Sequence, residues 1–162
     1  MPSNLRVSLV KKNLMLQFQD RFDILFRDPE FGFTADDDLI AQVIASLSYE
    51  HVDYSTPIMR LDEITDCIYF VYEGEVTVSY KQTKQPLLLF EQGSYIGETS
   101  FILKIRNQYT YQLKLGKEPA KIYGLQQKYL DPILREYPEW KNVLKVRALR
   151  RHHYLRKMKN QN

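Results

Sequence analysis

The stretch Gly93-Ser94-Tyr95-Ile96-Gly97-Glu98-Thr99-Ser100-Phe101 carries two glycines four residues apart. Its continuation, Ile102-Leu103-Lys104-Ile105-Arg106-Asn107-Gln108-Tyr109-Thr110-Tyr111, brings an arginine back within reach of them. Glycine admits the left-handed backbone conformations of a tight turn with exposed N–H groups. The run from Glu98 to Leu103 suits one short helical turn whose first N–H groups point at whatever lies above Gly97. Arg106 is placed so that its planar guanidinium can close over the same spot, where it suits a phosphate. Glu98 is an odd neighbour for a bare phosphate, but it can accept hydrogen bonds from hydroxyls beside one, such as those of a ribose. On this reading the stretch is an anion cradle. The plainer reading is a glycine turn between two strands with a surface arginine, and these residues alone leave both open.

On both sides of the cradle, from His51 to Gln126, the hydrophobic pattern has the period of strands. The runs are His51–Tyr54, Pro57–Leu61, Cys67–Tyr72, Val76–Tyr80, Leu87–Phe90, Tyr109–Leu113 and Ala120–Tyr123. All are short, rich in β-branched or aromatic residues and separated by turn residues. Seven or eight strands at this spacing predict a small sandwich or barrel. Glu73-Gly74-Glu75 and the stretch Lys81 to Lys84 read as hairpin connections.

Helical spacing precedes and follows this region. In residues 2 to 26, Val7, Val10, Leu14, Phe18 and Leu25 form one stripe, with Leu5, Leu9 and Leu16 nearly opposite. Two apolar faces call for either two packing partners, the following domain and a neighbouring subunit or another part of the protein, or two short helices with one buried face each. Arg27 to Phe33 is a break punctuated by Pro29 and Gly32. Thr34 reads as the N-cap of the next helix, with Asp37 in the capping-box position and Leu39, Ile40, Val43, Ile44 and Leu47 on its buried face. Helix-start chemistry explains the aspartates Asp36 to Asp38 without a metal. At the C-terminal end a short helix over Gln126 to Tyr137 is followed by a long one beginning at Pro138. The long helix gathers Trp140, Val143, Leu144, Ala148, Tyr154, Leu155 and Met158 on one side, with Arg147 and Arg151 in the same arc. Those two arginines therefore face whatever the helix covers.

Composition bounds the function. A chain of 162 residues, 44% hydrophobic and with twelve tyrosines, is a folded domain with a real core and space for a small appended arm. The single Cys67 excludes an internal disulfide and a cysteine metal site, and its strand-like setting predicts a buried, inert thiol. No secretory signal pattern or membrane-length apolar run is present, so a soluble piece is expected. The net charge of +3 is uneven, with eight basic and no acidic residues after Glu139. Such a helix is either a solvated face or a contact for an anionic membrane or an acidic partner. His51, His152 and His153 do not form the converging set a metal-dependent barrel enzyme needs, and no nucleophile triad or P-loop is present. An enzyme is therefore not expected, and neither is nucleic-acid binding, for which the chain shows no appended helix-turn-helix after its long helix.

Three local patterns carry a resemblance to the cyclic nucleotide-binding domain family. Ile68-Tyr69-Phe70-Val71-Tyr72-Glu73-Gly74-Glu75-Val76 resembles the family's strand-turn-strand. Gly93 to Phe101 resembles the entrance to its phosphate-binding cassette, and Arg106 falls near the cassette arginine. Pro2-Ser3-Asn4-Leu5-Arg6 and the helices after it are similar to the end of the linker in cyclic-nucleotide-gated, hyperpolarisation-activated and ether-à-go-go-type channels. The resemblance implies an α+β fold: an eight-stranded antiparallel β-roll, jelly-roll-like, flanked by N-terminal helices and two C-terminal helices. The implied division is a linker-like segment over 1–33 and a domain over 34–162, with the roll at about 50–126 and the last helices at about 126–159.

The same resemblance implies a site. Gly97 and Glu98 meet the ribose, Arg106 pairs with the cyclic phosphate, and Thr99, Ser100 and Asn107 complete the cassette. The final helix folds over the purine, with Arg147 and Arg151 as its contacts. The expected ligand is cAMP or cGMP, with no further cofactor and no metal. The expected role is a cytosolic regulatory domain on the cytoplasmic side of a membrane, passing a ligand-driven change through its terminal helices to a channel gate. The alternative is a nucleotide-independent interaction or assembly module. Relative to the family pattern, the path from Glu98 to Arg106 is one residue shorter, and Gln108 and Tyr109 stand where small residues leave room for a nucleotide.

Overall fold

The computed structural model describes residues 16–81, 85–116 and 119–161. Helix α1, residues 16–21 as far as described, leads into α2 (Asp23–Phe26). Strands β1 (Arg27–Asp28) and β2 (Phe33–Thr34) follow as a two-stranded ribbon, and then α3 (Asp37–Ala45). The roll contains β3 (Ser48–Glu50), β4 (Cys67–Glu73), β5 (Val76–Ser79), β6 (Leu88–Phe90) and β7 (Tyr95–Ile96). After α4 (Glu98–Leu103) it continues with β8 (Thr110–Leu113) and β9 (Lys121–Gln126). Helices α5 (Gln127–Glu136) and α6 (Pro138–Gln161) end the described chain. Two antiparallel sheets, in the orders β3-β9-β4-β7 and β6-β5-β8, form the roll, so the fold is α+β as expected.

β4 explains how one roll serves two cores. Side chains alternate across a strand, so Ile68, Phe70 and Tyr72 enter the helical core while Val71 enters the roll interior. On the helical side Phe18 and Phe22 pack against Phe70, with ring centroids 5.5 and 5.3 Å away. Leu39, Val43, Leu130, Leu134, Trp140 and Leu144 complete that core. The described part of the N-terminal segment thus shares a core with the helices that follow the roll. Trp140 is fully buried, and its indole N–H donates to the Leu25 carbonyl at 3.1 Å, pinning α6 to α2. Of the N-terminal stripe, Phe18 and Leu25 are buried while Leu16 is exposed; Leu5, Val7, Leu9, Val10 and Leu14 lie outside the described residues.

Three local expectations need correction. The segment Arg27–Phe33 is a hairpin rather than a plain break, closed by Asp28, whose Oδ1 accepts from the N–H groups of Glu30 and Phe31. Thr34 is not the cap of α3, because its backbone is paired in that hairpin; Asp36 caps instead, accepting from Leu39 N–H at 2.8 Å. His51–Tyr54 and Pro57–Leu61 are not strands. Asp53 turns the chain by accepting from Ser55 and Thr56 N–H, and only Met59 makes a bridge, to Tyr111. The strand of this region is β3, one turn earlier, paired with β9. Among the described residues no helix is long and apolar enough to cross a membrane.

Candidate functional site

Strand β7 hands the chain to the cradle. Tyr95 and Ile96 pair with Phe70 and Tyr69 of β4, and Gly97 then turns the backbone at φ +95° into α4. A Cβ at Gly97 would stand 2.6 Å from the Cys67 carbonyl oxygen, so the left-handed turn and the close approach to β4 both demand glycine. At the far end Lys104 adopts φ +55°, and the Ser100 hydroxyl donates to the Ile105 carbonyl at 2.6 Å. The cassette loop is thus tied to its own backbone before Arg106 is reached.

Glu98 is the centre of the site. It is 1% exposed, and its Oε1 accepts from the Arg151 guanidinium at 2.6 Å and from the Thr99 hydroxyl at 3.3 Å. Arg151 comes from α6. The same Nη1 also donates to the Tyr95 carbonyl at 2.6 Å, and the guanidinium lies over the rings of Phe90 (4.8 Å) and Tyr95 (4.9 Å). Burial, the largest single influence, opposes the charge on Arg151, but the Glu98 carboxylate together with the neighbouring Tyr95 and Tyr111 outweighs it and holds the guanidinium above its ordinary pKa. Burial, and secondarily the Glu98 charge, raises the phenol pKa of both Tyr95 and Tyr111.

The other residues singled out in the sequence separate. Arg106 is exposed and donates to the Asp62 carbonyl at 3.0 Å, clipping the loop before β4. Asn107 is buried and spends its amide on backbone. Its Nδ2 donates to the carbonyls of Arg60 (2.7 Å) and Tyr109, and its Oδ1 accepts from Tyr109 N–H. Arg147 pairs with the buried Asp28 at 3.0 Å, joining α6 to the β1–β2 hairpin. Gly97, Glu98, Thr99, Ser100 and Arg151 are therefore brought together. Arg106 and Asn107 edge a cavity beside Gly97, Thr99 and Ser100, with their polar groups bound to backbone of the Arg60–Asp62 loop and of Tyr109.

That cavity is small. Met59, Gly97, Thr99, Ser100, Asn107 and Tyr109 line a space of about 10 Å³, closed from the α6 side by His152 and Leu155. At most a single water fits there. Leu155, 1% exposed, packs into the roll interior with Val71, Ile96, Tyr109, Tyr111 and Ile122. The Tyr109 hydroxyl is buried there with no hydrogen-bond partner among the described residues. Sequence reading missed Leu155, Phe90 and Tyr95 as parts of the site. The four-residue spacing of Arg151 and Leu155 on one helix face was the available signal.

No protein-family model and no curated protein sequence matches the chain. Solved structures do match its fold. A cyclic nucleotide-binding domain from Methylobacillus flagellatus superposes with a TM-score of 0.69 at 17% identity, over 91% of this chain and 85% of that one. The chain has the fold of a cyclic nucleotide-binding domain. Thermus thermophilus Catabolite Activator Protein matches this nucleotide-binding-domain fold with a TM-score of 0.63 at 14% identity, over 85% of this chain and 61% of that one. The regulatory domain of Toxoplasma gondii PKA, solved with cAMP, gives 0.57 at 17% identity, over 71% of this chain and 44% of that one.

Proposed function

We propose that this chain is a regulatory domain that responds to a cyclic nucleotide. The carrying observation is a buried carboxylate, Glu98, at the start of the cassette turn, paired across the fold with Arg151 of the terminal helix. A carboxylate placed there accepts hydrogen bonds from a ribose, and the helix that faces it is the element whose position a ligand changes. Binding then shifts a population between helix positions, driven by contacts that exist in only one of them. In the channel-like arrangement that the sequence resembles, the shift passes through the helices flanking the roll to a gate, with the domain on the cytoplasmic side of a membrane. Arg106 supplies the phosphate contact by leaving the Asp62 carbonyl, and Ser100 and Thr99 flank it.

The test is thermal melting with and without saturating cAMP or cGMP. A ligand that binds only the folded state raises the midpoint with concentration, and Glu98→Ala should reduce the rise. A second reading, a nucleotide-independent interaction module, is favoured by the small cavity and the outward Arg106. It predicts no shift with either nucleotide.

A further inference from the structure

We infer that a groove between the N-terminal helices and α6, bordered by residues 91–95, is a second binding site, for a phosphate monoester carried on an apolar body. The inference stands apart from the nucleotide reading, because none of Gly97, Glu98, Thr99 and Ser100 lines this groove. It is open and encloses about 600 Å³, within the range of small-molecule sites. Four arginines line it, Arg21 from α1 and Arg147, Arg150 and Arg151 from α6, against a single carboxylate, Glu91, among the described residues. Spacings of three and four residues bring the α6 arginines to one side of that helix. The carboxylates that balance them, Asp28, Glu30 and Glu98, all lie outside the lining. They hold the guanidinium groups in place and leave the groove itself positive.

The arginines keep donors in hand. Arg21 lies over the Tyr72 ring at 4.2 Å and donates to the Tyr72 carbonyl at 2.8 Å and to Gln92 Oε1 at 3.5 Å, with no carboxylate partner among the described residues. Arg147 gives Nε and Nη2 to Asp28 and to the Arg27 carbonyl, which leaves its buried Nη1 with no hydrogen-bond partner among the described residues. A buried N–H without an acceptor is costly, and an oxyanion beside Arg147 supplies one. Each guanidinium carries five N–H donors, so the pairs with Glu30 and Glu98 leave capacity on Arg150 and Arg151 as well. A carboxylate offers two oxygens and satisfies one fork, whereas a phosphate monoester brings three terminal oxygens and nearly two negative charges, enough for several arginines at once. Ile24 and Leu89, exposed to 63% and 37%, border the same groove and give the apolar body its contact.

Phenyl phosphate and inorganic phosphate are titrated calorimetrically into the full chain and into Arg21→Gln, Arg147→Gln and Arg150→Gln, with folding confirmed by circular dichroism. Lys145→Gln, on the exposed side of α6 and outside the groove, is the control of equal charge change. Phenyl phosphate should bind saturably and more tightly than inorganic phosphate, about tenfold more weakly in each groove variant, and unchanged in Lys145→Gln. Ile24→Ser should bring phenyl phosphate down to the level of inorganic phosphate. Arg147→Gln also breaks the Asp28 pair, so Arg21→Gln and Arg150→Gln decide the matter should that variant fail to fold. Sedimentation with phosphatidic acid vesicles separates the two sources of such a group. Capture lost in the groove variants identifies a lipid headgroup, and phenyl phosphate binding without capture identifies a soluble ester. No binding of phenyl phosphate to the folded chain, or binding that Lys145→Gln weakens as much as the groove variants do, would overturn the inference, whatever the nucleotide titrations show.

Discussion

At the scale of single residues, the fold has committed a carboxylate to its interior and matched it with one cation. A buried ion pair is worth little against an apolar replacement, but losing one partner is costly, at about 3–5 kcal/mol, because a bare charge remains. Arg151→Gln should therefore destabilise the domain by about 3 kcal/mol in denaturant melts. Adding Glu98→Gln should recover most of that loss, and simple addition of the two effects would show that the pair is not coupled. Glu98 was legible in the sequence because a carboxylate in an anion cradle is an odd neighbour for a bare phosphate but can accept from hydroxyls beside one. Its partner was legible only as a candidate, since a helical arc shows which side Arg151 faces and not what stands opposite. Arg147, from the same arc, went to Asp28 because the β1–β2 hairpin lies over that turn of the helix. Cys67 gives a second residue-level prediction. Burial, reinforced by the charges of Glu50 and Asp66, pushes its thiol up to about 12. The native protein should resist a thiol reagent at pH 8 and react once unfolded. Because the folded thiol is the weaker acid, its contribution to stability is complete below the ordinary cysteine range and is lost as pH rises from there toward about 12. Fast native labelling at pH 8 would contradict this.

At the scale of elements, α6 does three jobs along one length. Trp140 anchors its start to α2, Arg147 clamps the hairpin, and Arg151 with Leu155 closes the roll. Leu155→Ala should cost about 2–4 kcal/mol, the range for a buried leucine whose cavity does not collapse, and a loss below about 1 kcal/mol would mean that the roll refills the space. Gly97→Ala should cost at least about 2 kcal/mol, since it adds backbone strain to a contact with the Cys67 carbonyl; a melt unchanged by this substitution would contradict the turn geometry. The glycine turns and the 3.6-residue spacing of α5 and α6 announced themselves in the sequence. The stretch before β4 did not. The apolar residues of His51–Leu61 have strand composition, but Asp53, Pro57 and the left-handed Asp62 break the ladder, and what remains is a bridge of Met59, with the Ile58 N–H, to Tyr111. Likewise Thr34 has the chemistry of a cap, but Arg27 takes its backbone.

At the scale of the whole molecule, the roll and its helices form two cores joined through β4, and the cradle sits where α4 and α6 meet over the roll. The architecture was readable because short strands with glycine turns admit few alternatives. The state of the cradle was not readable. The sequence displays Arg106 and Asn107 at cassette positions, but only the fold shows their polar groups bound to backbone of the Arg60–Asp62 loop and of Tyr109, and Leu155 packed into the roll interior. Position in a motif predicts proximity, whereas hydrogen-bond geometry decides what a group is free to bind. On the proposed function, a nucleotide in the cradle would meet α6 at Arg151, so binding would be coupled to the position of that helix. Calorimetric titration of cAMP and cGMP into the unmodified chain and into Glu98→Ala is the most direct measurement. The account predicts saturable one-to-one heat with the unmodified chain, weakened by Glu98→Ala; no heat from either nucleotide with the folded unmodified chain would contradict it.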